Sequence, residues 1–127
     1  MREDAEREET VTLHLEQGGY VRCDWRRGTR ITGELARGAI KRLDELNDGI
    51  KRPLLVDMRG TASLTREGRQ AFAEEYSASK VALLGESPVD RVIANFTLSV
   101  IVMSIPTRYF TSESAALAWL SGDDTRT

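Results

Sequence analysis

Leu54-Leu-Val-Asp-Met-Arg-Gly-Thr-Ala-Ser-Leu-Thr-Arg-Glu-Gly-Arg-Gln-Ala-Phe-Ala73 reads as a strand, a loop and a helix. Leu54, Leu55 and Val56 do not alternate with polar residues, which predicts a strand covered on both faces, as central parallel strands are. Asp57 closes it, and Met58 to Leu64 form a loop. Thr65 caps a helix expected to reach Ser77, with Gly68, Ala71, Phe72 and Tyr76 inward. Strand ends, loops and helix starts are where α/β folds build their sites. Asp57 is expected to bind loop amides near Gly60. Arg59, Arg66 and Arg69 flank a helix start whose N–H groups favour anions. A phosphate or nucleotide site therefore stands as a second reading beside plain solvated charges.

Outward toward the N-terminus, Val11 to Glu16 and Tyr20 to Trp25 each alternate apolar with polar, and Gly18-Gly19 lies between them. That is an antiparallel hairpin near a sheet edge. A helix follows from its cap Thr32 to Asn47, with Leu35, Ala39, Leu43 and Leu46 at helical spacing and Gly49 as the stop. Toward the C-terminus, Val81-Ala-Leu-Leu84 is a second unbroken strand. Ser87-Pro88-Val89-Asp90 has the form of a capping box with proline at the first helical position. Its helix is expected to continue through Val92, Ile93, Phe96, Val100 and Met103, to a stop at Pro106. Arg108 to Phe110 is a short strand, and Thr111 or Ser112 caps a last helix ending at Gly122, with Ala116, Leu117 and Leu120 inward. Helices alternating with strands after a hairpin predict an α/β fold: a mixed, mostly parallel sheet of four to five strands with about four helices.

The chain has 127 residues and 40% hydrophobic content, enough for one domain with its own core, expected over residues 10–121. Residues 1–9 read as a charged, frayed tail and residues 122–127 as a short second tail. Net charge is −2, from 18 basic and 20 acidic residues, which argues against a nucleic-acid binder. No apolar run is long enough to span a bilayer and no leader pattern is visible, so the expected compartment is the cytoplasm. Cys23 is the one cysteine and His14 the one histidine. They read as a buried thiol and an exposed strand residue, and no metal-ligand, nucleotide or nucleophile motif accompanies them. No cofactor is expected. A phospho-acceptor reading of Asp57, as in receiver domains, needs an acidic pair at the end of the first strand to hold Mg²⁺, and that pair is missing. The apolar run Leu98 to Ile105 has two readings: deep burial, or a homodimer contact through Leu98, Ile101, Val102 and Ile105.

From Val56 to Phe72 the sequence resembles the central signature of STAS domains, the sulfate-transporter and anti-sigma-factor-antagonist family of the SpoIIAA type. Asp57, Gly60 and Gly68 match that signature without a gap. The next strand, the Ser87-Pro88 helix and the closing Arg108-to-Leu117 segment are similar to the family's in the same order. The resemblance implies a SpoIIAA-like fold over roughly residues 10 to 121. It also implies a non-enzymatic regulatory domain whose helix start, around Ser63 to Arg69, docks a kinase/anti-sigma-like protein. In such domains the first serine of an Asp-Ser-Ser-Gly core is phosphorylated. Here Thr65, Arg66 and Glu67 fill those places, so that serine does not exist. Ser63 and Thr65 remain as shifted acceptors. The alternative function is a small-molecule module for an apolar or anionic ligand, with a nucleotide or a lipid as examples.

Overall fold

The computed structural model describes residues 10–100 and 103–122, with backbone only for 96–100. The strands are β1 (Val11–Leu15), β2 (Val21–Trp25), β3 (Arg30–Ile31), β4 (Arg52–Asp57), β5 (Ser63–Leu64), β6 (Ala78–Leu84) and β7 (Thr107–Phe110). The helices are α1 (Gly33–Asn47), α2 (Arg66–Ala73), α3 (Pro88–Val100) and α4 (Glu113–Ser121). Five strands form one sheet in the order β1-β2-β4-β6-β7. Only β1 and β2 are antiparallel in it.

The strand order advances in one direction, so crossovers of one hand put α1, α2 and α3 on the same face. That face is packed by Val21, Cys23, Trp25, Leu54, Val56 and Val81 from the sheet against Ala36, Ala39, Leu43 and Ala71 from the helices. Among the described residues, the opposite face has one helix. There Leu55, Ala82 and Leu84 meet Ala116, Trp119 and Leu120 of α4. This explains both hydrophobic patterns. β4 and β6 have a helix layer on each side and read as unbroken apolar runs. β2 is an interior strand, yet it alternates because its second face is left to polar groups.

The helix caps fall where the sequence places them. Thr32, Thr65 and Ser112 each accept an N–H from the residue three positions on. Gly122 takes the left-handed conformation that ends α4. The left-handed stop of α1 is carried by Asp48 itself, followed by Gly49.

Four expectations need correcting. First, α2 ends at Ala73, not Ser77. Asp44 accepts hydrogen bonds from the Ser77 N–H and hydroxyl, and Asn47 Nδ2 donates to the Ser77 carbonyl at 2.6 Å. These tertiary bonds hold Ser77 outside the helix, and β6 begins at Ala78. Second, the inward position at the end of α1 belongs to buried Asn47, while Leu46 is exposed. Third, Met103 is not helical, so α3 ends before it rather than reaching Pro106, and along α3 Ala94 is buried while Val92 is exposed. Fourth, Ile105 is buried in the main core, so it offers no side chain to a second copy. The other proposed dimer residues, Leu98, Ile101 and Val102, have side chains outside the described residues. One element was not anticipated: β3 and β5 pair as a two-stranded parallel ribbon inside what reads as loop.

Candidate functional site

The loop after β4 is held from three directions. Its Gly60 has φ 75°, a conformation glycine adopts without penalty. The Gly60 carbonyl accepts from Gly28 N–H at 2.8 Å, and Ala62 N–H donates to the Thr29 carbonyl. Gly60 N–H donates to Asp90 Oδ2 at 3.3 Å. The same oxygen accepts from Glu86 N–H at 3.0 Å and Ser87 N–H at 3.3 Å, while Asp90 N–H donates to Ser87 Oγ. The capping box thus does more than start α3. It ties the signature loop to that helix through a fully buried carboxylate.

As expected, Asp57 binds a loop amide beside Gly60, though not that of Gly60 itself. It accepts from Arg59 N–H, and from the Arg59 guanidinium at 2.9 Å and 2.6 Å. Arg22 adds a bond to Asp57 at 3.0 Å and also pairs with Asp24 and Glu113. Residue Asp57 stands beside Asp24 in the β2–β4 register, and Arg22 is two residues earlier on the same strand face. Sequence reading missed Arg22. The available signal was a pair of opposite charges, Arg22 and Asp24, on the polar side of a strand.

Burial pushes the Asp57 carboxyl up, but the hydrogen bonds and charge of Arg59, then the charge of Arg22, outweigh it and hold it below its ordinary value. A carboxyl lowered on folding adds stability above its unfolded value, and that contribution disappears as pH falls through the folded one. Stability should therefore decline below the ordinary carboxylate range. Asp57→Asn should show a shallower acid-side decline, measured as unfolding midpoint against pH. An unchanged slope would remove Asp57 from the acid response.

The proposed cluster of arginines is divided. Arg59 is committed to Asp57 on the α4 side of the sheet. Arg69 donates to the Leu64 carbonyl at 3.2 Å, Arg66 is exposed at the start of α2, and Glu67 is exposed where α2 passes Gly33 of α1. Thr65 Oγ1 accepts from Gly68 N–H, and half-buried Ser63 sits in β5. His14 and Cys23 occupy opposite faces of the sheet, since Leu13 is the register partner of Cys23. Burial pushes the Cys23 thiol up to about 12, so it is not a ready nucleophile.

Ala62, Ser63, Leu64 and Arg69 form one wall of an open groove of about 420 Å³, and Pro88, Val89, Val92 and Ile93 form the other. Val89 is 57% exposed and Val92 65% exposed. Their spacing of three residues puts them side by side on α3. No local pattern marks this exposure, because valines at helical spacing read equally well as core.

A five-stranded mixed sheet with three crossover helices on one face and one closing helix on the other is the SpoIIAA-like fold. An uncharacterized protein from Shewanella loihica PV-4, of the DUF3478 family and described as having that fold, aligns with a TM-score of 0.56 at 20% identity, over 87% of this chain and 91% of its own. The chain belongs to the family described as Domain of unknown function (DUF7793), whose model matches residues 13–122. A protein with unknown function from Arthrobacter sp. FB24 is 44% identical over 87% of this chain and 98% of its own, with a TM-score of 0.37. A search of curated proteins finds no match. Among the described residues, no helix is long and apolar enough to cross a membrane.

Proposed function

We propose that this chain is a non-catalytic docking domain that binds a protein partner in the groove between the Ala62–Leu64 segment and α3. The observation that carries the reading is the exposure of Val89 and Val92 along that groove. Burying a valine side chain is worth about 1.5–3 kcal/mol, and a contiguous apolar ridge on a water-facing helix is a common mark of an interaction surface. Exposed Arg66, at the start of α2, suits a partner with an acidic rim. The resemblance of the signature segment to STAS domains supports the same side of the molecule. The partner chemistry differs from that family, because Thr65-Arg66-Glu67 replaces a phosphorylatable core with a charged one.

The test places a photo-crosslinking residue at Val92 in the native host and identifies what it captures. The double substitution Val89→Asp/Val92→Asp should abolish capture of that partner and leave the unfolding midpoint within about 2 °C, since exposed sites away from special features change stability little. Arg66→Ala should weaken the same complex with equally little effect on stability. If the captured complex survives the double substitution unchanged, the groove is not the docking site. A large stability loss for Arg66→Ala would make that side chain structural.

A further inference from the structure

We propose that the chain forms a homodimer in which β1 pairs antiparallel with β1 of a second copy, joining the two five-stranded sheets into one. Among the described residues, β1 has a strand neighbour on one side only. Its bonding pattern fixes which groups face outward. Arg26 N–H donates to the Thr10 carbonyl and Glu16 N–H to the Tyr20 carbonyl. Every second residue of the strand, Thr12 and His14 included, therefore turns its backbone groups toward β2. Val11, Leu13 and Leu15 turn theirs away from the sheet. Arg42 agrees with that direction, since its Nη1 reaches the Val11 carbonyl from α1 at 3.1 Å.

Edge strands are usually protected by a charge, a proline, a bulge or a covering element. The opposite edge, β7, follows Pro106 and contains Arg108. β1 reads Val11-Thr-Leu-His-Leu15, without proline, acid, lysine or arginine, and its register with β2 is unbroken. Leu15 is exposed at its end. Leu46 at the end of α1 and Ile50 in the turn before β4 are exposed at that same end of the sheet. A second copy fits this edge because the edge is self-complementary. With Leu13 on the two-fold axis, Leu13 faces the partner's Leu13 and Val11 faces the partner's Leu15, so all three outward residues find donors and acceptors at once. The Val11 carbonyl has two lone pairs and accepts a second bond beside that of Arg42. The charges match as well. Arg42, held at the Val11 carbonyl, comes to the end of the partner's strand that carries Leu15 and Glu16, so a cation of each copy meets an acid of the other. The strand edge is separate from the groove, and the dimer does not depend on the docking reading.

Sedimentation of the full chain should show the mass rising from monomer toward dimer with concentration. In this register Thr12 lies opposite the partner's His14 as a non-hydrogen-bonded pair, with Cα atoms about 4.5 Å apart, a spacing that a disulfide bridges. A mixture of Thr12→Cys and His14→Cys chains should therefore cross-link at least about tenfold faster than either chain alone, because like positions are offset diagonally. Cys23 is buried and stays out of the reaction. Leu15→Lys sets a second cation against the partner's Arg42 and should weaken dimerisation by about tenfold or more, while Leu15→Glu weakens it less. Leu15 is exposed, so neither substitution should move the unfolding midpoint of the dilute chain by more than about 2 °C. The proposal is overturned if the parent stays monomeric up to about 1 mM, if the mixture cross-links no faster than the single chains, or if Leu15→Lys dimerises as tightly as the parent.

Discussion

Asp90→Ala should destabilise the protein by about 3 kcal/mol, lowering the unfolding midpoint by about 10 °C. The carboxylate has no exposed surface and accepts three backbone N–H bonds, from Gly60, Glu86 and Ser87. Removing it strips α3 of its capping interaction, worth about 1 kcal/mol. It also leaves loop amides without an acceptor, and each unsatisfied buried donor costs about 1–3 kcal/mol. Water entering the collapsed site offsets part of that sum, which keeps the estimate below the simple total.

The position of the loss matters as much as its size. Gly60 belongs to the loop after β4, while Glu86 and Ser87 belong to the turn after β6. Asp90→Ala should therefore speed hydrogen exchange at all three amides together, ahead of the sheet interior. Asp90→Asn retains an acceptor oxygen and should recover more than half of the lost stability. If Asn and Ala prove equally damaging, the negative charge at the N-terminus of α3 is the larger contribution. An Asp90→Ala protein within about 1 kcal/mol of the parent would show that the three bonds contribute little net stability.

The order of the main elements was readable because each carried a local signal. Thr32 and Thr65 read as caps, Ser112 or Thr111 as the last one, and the unbroken runs at Leu54 and Val81 as strands with two covered faces. Errors appeared where distant partners decide the outcome. Nothing near Ser77 reveals that Asp44 and Asn47 will grip it and shorten α2. Nothing near Ile31 reveals that it pairs with Leu64 to make a second small ribbon. The candidate site was legible in its location and less so in its wiring. Asp57 binds a loop amide beside Gly60, that of Arg59, as its place at the strand end suggests, but local sequence does not reveal its two arginine side chains or the Asp90 carboxylate that takes the Gly60 amide. The exposure of Val89 and Val92 is hidden for a different reason. An exposed valine and a buried one have the same sequence pattern when their helix covers only part of the core.

Gly68→Ala should cost about 1–3 kcal/mol, although alanine in a helix is ordinarily about 1 kcal/mol better than glycine. The backbone conformation of Gly68 does not demand glycine; the space around it does. A methyl group there would sit 2.8 Å from the Ile31 carbonyl oxygen and 2.9 Å from Leu64 Cδ1. The Ile31 carbonyl cannot simply move, because it accepts the Thr65 N–H at 2.9 Å and lies in the ribbon with Leu64. Relief would have to come from shifting the start of α2 away from β3 and β5. Gly38, on the exposed side of α1, has nothing within 4 Å of the same added methyl. Gly38→Ala should therefore stabilise the protein by about 0.5–1 kcal/mol, and the two substitutions should move the unfolding midpoint in opposite directions. In Gly68→Ala the Thr65 amide should exchange faster, because its bond to Ile31 is the first to stretch. If both substitutions raise the midpoint, α2 tolerates the methyl and the close approach at Ile31 is not a constraint. If they diverge as expected, the glycine of the signature segment is required by the passage of one strand behind a helix start. That is a demand of the scaffold, and it holds whatever residues occupy positions 65 to 67.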